Sequence, residues 1–138
     1  MSNKPLPLHK KIRIVLCNSS PLFRKGVKAL VREQSALLEI VGEAETGRKA
    51  VEQVRRLRPD VVLMDVLTPK LSGTEATRRI KKLSPDVSVL ILTLYDNQRM
   101  VSDCLQAGAS GYIGPDAPLA ELEKRISAVC ARERPRAA

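Results

Sequence analysis

The sequence predicts an α/β domain of three layers, a doubly wound five-stranded parallel sheet in strand order 2-1-3-4-5 carrying five helices. Three observations lead there. Short apolar runs rich in β-branched residues alternate with amphipathic stretches along the chain. The alternation repeats at roughly 20–25 residues, the length of a strand, a helix and a right-handed crossover. Several of the apolar runs are continuous rather than alternating, as strands covered by helices on both faces are. The order 2-1-3-4-5 is one of the two common doubly wound arrangements.

Each element has its own signal. Ile12-Arg-Ile-Val-Leu-Cys17 reads as the first strand, and Ser20-Pro21 supplies a helix N-cap followed by proline at the first helical position. Leu22, Val27, Leu30 and Val31 then fall at helical spacing. Leu38–Gly42 is the second strand. Thr46 caps a helix whose apolar face is Ala50, Val51, Val54 and Leu57, and which stops before Pro59. Val61–Met64 is the third strand. Ser72-Gly-Thr-Glu75 has capping-box spacing ahead of Ala76, Ile80 and Leu83. After the fourth strand, Val87–Leu92, Asp96 caps a helix bearing Met100, Val101, Cys104 and Leu105, closed by Gly108. Gly111–Ile113 is the fifth strand, and a last helix begins at Pro118 with Leu119, Leu122, Ile126 and Val129 as its stripe. Residues 1–10 are expected to form a flexible leader, 11–131 the folded domain, and 132–138 a basic tail or linker stub.

A chain of 138 residues fits one domain, and a 43% hydrophobic share suits a globular core rather than a disordered segment. Only Phe23, Tyr95 and Tyr112 are aromatic, so that core must be aliphatic. No apolar run approaches the ~20 residues of a membrane span, and Ile12–Cys17 is too short for a signal-peptide core. Cys17, Cys104 and Cys130 are odd in number and lack metal-ligand spacing, which points to buried thiols of a cytoplasmic protein. The formal charge of +9 admits an acidic partner, nucleic acid, or merely a solvated basic surface. Its clusters (Arg55-Arg56 with Arg58, Arg78-Arg79 with Lys81-Lys82, Lys124-Arg125 with the tail) spread over several helices. They lack stacking aromatics and a recognition helix, so no sequence-specific nucleic-acid binding is expected. His9 stands alone in the leader and is no ligand set.

In an open parallel sheet, ligands bind beyond the carboxyl ends of the strands. That rule selects Asn18 and Ser19 after the first strand, Asp65 after the third, Thr93 after the fourth, and Gly114-Pro115 after the fifth. A lone acid at a strand end often does no more than cap the next turn. Gly108, Gly111 and Gly114 do not open a phosphate-binding helix.

The local sequence is more specific. Pro59-Asp-Val-Val-Leu-Met-Asp65, followed by Pro69 and Gly73, resembles the phosphoacceptor segment of response-regulator receiver domains. Ile91-Leu-Thr93-Leu-Tyr95-Asp96 is similar to their fourth strand, and Ala107-Gly-Ala-Ser-Gly-Tyr112 to the approach to their fifth. Pro21-Leu-Phe-Arg-Lys-Gly26 and Val41-Gly-Glu-Ala44 resemble the NarL/FixJ-type branch, which usually carries a DNA-binding output domain. The resemblance covers residues 11–130. It implies a flavodoxin-like fold, Asp65 as acceptor of a phosphoryl group from a histidine kinase, Thr93 as switch hydroxyl and Tyr112 as switch aromatic. Typical members hold Mg²⁺ with an acidic pair after the first strand and pair the phosphoryl group with a lysine after the fifth.

This chain departs at all three positions, with Asn18 and Ser19 for the acids and Pro115 for the lysine. No Asp or Glu precedes Glu33, and no lysine lies between Lys82 and Lys124. The expectation is a degenerate Mg²⁺ site of Asp65, Asn18 and Ser19, with Lys70 and Arg24 as conceivable substitute cations. The chain then reads as a pseudo-receiver: a protein-interaction module rather than an enzyme, engaging a histidine kinase, another signalling protein or a second copy of itself. The surface expected to do so comprises Arg99, Val101, Tyr112, Leu119 and Lys124. Two alternatives stand beside it. One is a slow but working phosphoacceptor; the other is the receiver part of a DNA-binding transcriptional regulator.

Overall fold

The computed structural model describes residues 11–66, 71–92, 98–114 and 116–133. Five parallel strands, β1 (Ile12–Cys17), β2 (Leu38–Ala44), β3 (Val61–Met64), β4 (Ser88–Leu92) and β5 (Gly111–Ile113), form one sheet in the order β2-β1-β3-β4-β5. Between and after them run α1 (Pro21–Gln34), α2 (Gly47–Leu57), α3 (Gly73–Leu83), α4 (Gln98–Gln106) and α5 (Leu119–Glu133). The predicted three-layer, flavodoxin-like architecture is the observed one.

Two aliphatic clusters sandwich the sheet, and the pleat decides which residues enter each. Val15, Cys17, Val62, Met64, Val89 and Ile91 face Ala50 and Val54 of α2 and Ala76 and Ile80 of α3. Ile14, Leu16, Leu63 and Leu90 face Val31 of α1 and Leu122, Ile126 and Val129 of α5. All four residues of β3 are fully buried, which is why that strand reads as a continuous apolar run.

The hydroxyl caps form as the sequence indicates, but the box at Ser72 does not close, because the Glu75 carboxylate turns to Arg78 and Arg79. Ser20, Thr46 and Ser72 each accept, through the side-chain hydroxyl, the N–H three residues on: Phe23, Lys49 and Glu75 respectively. Arg58 ends α2 in the left-handed conformation, with its N–H on Val54 O. Gly108 follows α4 at φ +120°, a conformation that favours glycine.

Several boundaries differ from expectation, as do four apolar positions, Leu22, Leu30, Leu83 and Leu105, which are exposed. Strand β2 continues through Glu43 and Ala44, with a register shift opposite Ile14/Val15 that pairs Val15 with Gly42. Val87 lies outside β4 because its N–H turns back onto Ser84 O (3.0 Å). Pro118 caps α5 instead of starting it, its carbonyl accepting the N–H of Leu122 (3.1 Å). Leu22 is 81% exposed; proline at the preceding position fixes the helix start and turns that residue to solvent. Asp96 lies outside the described residues.

One glycine holds α3 against the strand end that matters below. A Cβ at Gly73 would lie 2.7 Å from both Asp65 O and Val66 Cα, backbone atoms that cannot swing aside. Gly→Ala in a helix is ordinarily stabilising. Here Gly73→Ala is expected to lower stability by about 1–3 kcal/mol, seen in urea unfolding as a lower midpoint at an unchanged slope.

Candidate functional site

The site begins with register. Strands β1 and β3 lie side by side at the centre of the sheet, Cys17 opposite Met64. The next residue on each strand is therefore brought to the same point at the carboxyl edge, and those residues are Asn18 and Asp65. The Asp65 N–H donates to Cys17 O (3.0 Å), extending the ladder one step beyond the regular strands. Both side chains are enclosed, Asn18 at 2% and Asp65 at 5% exposure.

Asn18 is the organising residue of this corner. Its Nδ2 donates to Asp65 Oδ2 (3.1 Å), while its Oδ1 accepts the Ser20 N–H (2.8 Å). Its backbone N–H donates to Ala44 O (2.9 Å) and ties β1 to the end of β2. The amide thus turns its hydrogens to the carboxylate and its oxygen to the α1 cap, satisfying both ends. Ser19 is exposed, unlike this enclosed pair.

A charged network that the sequence reading did not assemble braces the same corner. Arg24 Nη1 donates to Asn18 O (2.6 Å), and Arg24 Nε donates to Glu43 Oε1 (3.0 Å). Lys28 Nζ donates to Glu43 Oε2 (2.7 Å). The Lys28 hydrogen bond, with help from Arg24, holds the Glu43 carboxyl below its ordinary range against the opposing cost of partial burial. The guanidinium of Arg24, a conceivable substitute cation on sequence grounds, links α1 to β2 and grips the backbone of Asn18. The helical spacing of Arg24 and Lys28 was visible in the sequence, but their common partner lies one strand away.

Beneath Asn18, Cys17 is fully buried, its Sγ donating to Thr46 O (3.5 Å). Burial, reinforced by the nearby Asp65 charge and opposed by Arg24, pushes its thiol up to about 12. Tyr112 sits on β5 at 40% exposure, its carbonyl receiving Arg125 Nη2 (2.7 Å). The structure therefore brings Asn18 and Asp65 together and leaves Tyr112 on the surface of the sheet's edge strand. Thr93, Lys70 and Pro115 lie outside the described residues.

Comparison with known proteins agrees with this fold. Residues 14–127 match the family model of the response regulator receiver domain. The transcriptional regulatory protein DegU of Brevibacillus brevis is 44% identical over 103 residues, covering 75% of this chain and 43% of that protein. The crystal structure of a two-component response regulator of the LuxR family from Aurantimonas sp. SI85-9A1 superposes with a TM-score of 0.81 at 32% identity, covering 89% of this chain and 87% of that one. The signal receiver domain of NarL from Mycobacterium tuberculosis gives a TM-score of 0.78 at 30% identity, covering 92% of this chain and 99% of that domain. This chain spans about half the length of the curated transcriptional regulators it matches.

The Cys17 thiol makes alkaline stability a probe of this corner. An unfolded cysteine ionises near 9.0, whereas Cys17 in the fold does so at about 12. Between those values the unfolded chain holds fewer protons than the folded one, so stability falls as pH rises. Denaturation measured from pH 8 upward is expected to show a loss approaching about 1 kcal/mol per pH unit that Cys17→Ala removes from the slope.

Proposed function

The chain belongs to the response regulator receiver family, and from that premise we propose that it acts as a pseudo-receiver in two-component signalling, a protein-interaction module whose Asp65 is a poor phosphoryl acceptor. The observation that carries the proposal is the Asn18–Asp65 hydrogen bond. In this reading the amide takes the place of the cation that receiver domains generally use.

Receiver domains generally bind Mg²⁺ at an acidic site, and the residues here suit that ion poorly. Mg²⁺ wants hard oxygen ligands in octahedral geometry, usually with one or two carboxylates. Asn18 offers Asp65 hydrogens rather than a lone pair, and its oxygen is already engaged by Ser20. Among the described residues, no group of three or more His, Cys, Asp or Glu side chains is placed to hold a metal.

The energetic consequence follows from charge. Bringing a carboxylate against an anionic phosphoryl group requires neutralisation of the developing charge. Here Asp65 already receives a neutral donor, and an incoming group would displace that contact without gaining an acid-held cation or the usual lysine. Hydrogen bonds to charged groups contribute about 1.5–3 kcal/mol each, and about 1.4 kcal/mol is a tenfold change in rate. Two missing contacts of this kind slow transfer by several orders of magnitude.

The partners consistent with this role are a histidine kinase or another signalling protein of the cytoplasm, with a second copy of the chain as a further option. The face carrying Arg99, Tyr112, Leu119 and Lys124 is the proposed contact surface; Val101, expected on it, is buried at 6% exposure and belongs to the core. Thr93 and Tyr112 would occupy the switch positions without being driven by a phosphoryl group. A second reading is favoured by the relatives themselves: the match to about half the length of transcriptional regulators fits the receiver part of such a regulator. The two readings are compatible, since an output domain can respond to a receiver's binding partner.

Incubation with excess acetyl phosphate and Mg²⁺, followed by intact-mass and ³¹P measurement, tests the proposal. The expected spectrum is that of the unmodified chain. A stoichiometric acyl phosphate that Asp65→Ala abolishes would sink it.

A further inference from the structure

At the end of the sheet opposite Asp65, the loops entering β3 and β4 enclose a groove of about 430 Å³. Arg55, Arg58 and Pro59 form one wall; Leu83, Asp86 and Val87 belong to the other. Leu83 is 39% exposed there, an apolar side chain beside two arginines that no ion pair among the described residues holds.

Both walls are fixed. Arg13 Nη1 donates to Leu57 O and to Arg58 O (both 2.9 Å), and the Arg13 N–H donates to Asp60 Oδ2 (2.9 Å). Across the groove, Lys81 Nζ donates to Pro85 O (2.8 Å) and Val87 O (2.7 Å). The groove is preformed, so an occupant need not order it.

Arg58 supplies an independent sign of function. It has φ +49° and ψ +62°, alone among the described non-glycine residues in having positive φ. Glycine or asparagine is the usual occupant of such a helix-terminating position, and the proline that follows disfavours helical backbone as well. Residues held in sparsely populated backbone regions cluster at functional sites. The chain keeps a long cation where glycine would be less strained.

We propose that this groove binds an acidic peptide segment with an apolar anchor. Carboxylates of the segment would meet Arg55 and Arg58, and an aliphatic side chain would cover Leu83, the exposed apolar side chain of the groove, whose Pro59 and Val87 are already buried. Asp86 lies in the same lining and can accept backbone N–H donors, which a peptide offers and a phosphate backbone lacks. A second copy is disfavoured by the +9 charge each chain carries. The site is independent of the chemistry at Asp65.

Fluorescence anisotropy with a labelled peptide of alternating Glu and Leu tests the proposal. Saturable binding is expected, and it should persist near 150 mM salt because an apolar anchor is not screened. Arg55→Glu is expected to weaken binding about tenfold or more. Arg58→Gly is expected to weaken it while raising the melting temperature by a few degrees, which separates the loss from unfolding. Asp65→Ala should bind as the parent does, whatever the outcome of the phosphorylation test. Absence of binding, undiminished binding by Arg55→Glu, equal binding of a Ser-for-Leu peptide, or preference for a DNA duplex would each overturn the proposal.

Discussion

Parallel pairing of β1 with β3 sets Cys17 opposite Met64, and the carboxyl edge of the sheet inherits that register. One residue further on, a buried carboxylate and a buried amide must share an enclosed space. Unpaired, either would be costly there, because polar groups removed from water lose their solvation without compensation. Hydrogen-bonded to each other, with the amide oxygen spent on the α1 cap, they satisfy most of what the site demands. Gly73 then lets α3 approach Asp65 closely from the other side. Arg24, Glu43 and Lys28 hold the loop that presents Asn18.

An acid at position 18 would have set like charges against Asp65 and called for a cation between them. Asparagine removes that repulsion and supplies a donor of similar size and shape. In the proposed reading, asparagine does more than delete a ligand: it would meet the Asp65 carboxylate with an amide where an acid would call for an ion. That is the physical content of the proposed pseudo-receiver. A bound partner, rather than a phosphoryl group, would then bias whatever output the domain has. The groove at the opposite end of the sheet offers one place for such a partner.

Much of this was legible in the sequence, for identifiable reasons. Runs such as Val61–Met64 predicted a central strand because a strand covered on both faces can carry only apolar side chains. Ser20, Thr46 and Ser72 predicted helix starts because a hydroxyl there meets a free backbone N–H. Asp65, Asn18 and the absence of neighbouring acids were visible as well. The direction of the Asn18 amide was not, since it depends on the Ser20 N–H and the Asp65 carboxylate meeting in space. Nor was the meeting of Arg24 and Lys28 on Glu43 of an adjacent strand, or the left-handed Arg58. Leu22 fell at helical spacing yet faces solvent, because periodicity names a stripe without saying how far along the helix the core extends. The strand that carries Tyr112 was correctly placed, while its side-chain exposure depends on neighbours that local pattern does not contain.

The most direct test of the amide-for-cation account is calorimetric titration of Mg²⁺ into the parent chain and into Asn18→Asp. The account predicts no saturable binding by the parent at roughly 10 mM Mg²⁺ and measurable binding once a second carboxylate joins Asp65. Binding by the parent as tight as that of Asn18→Asp would contradict it.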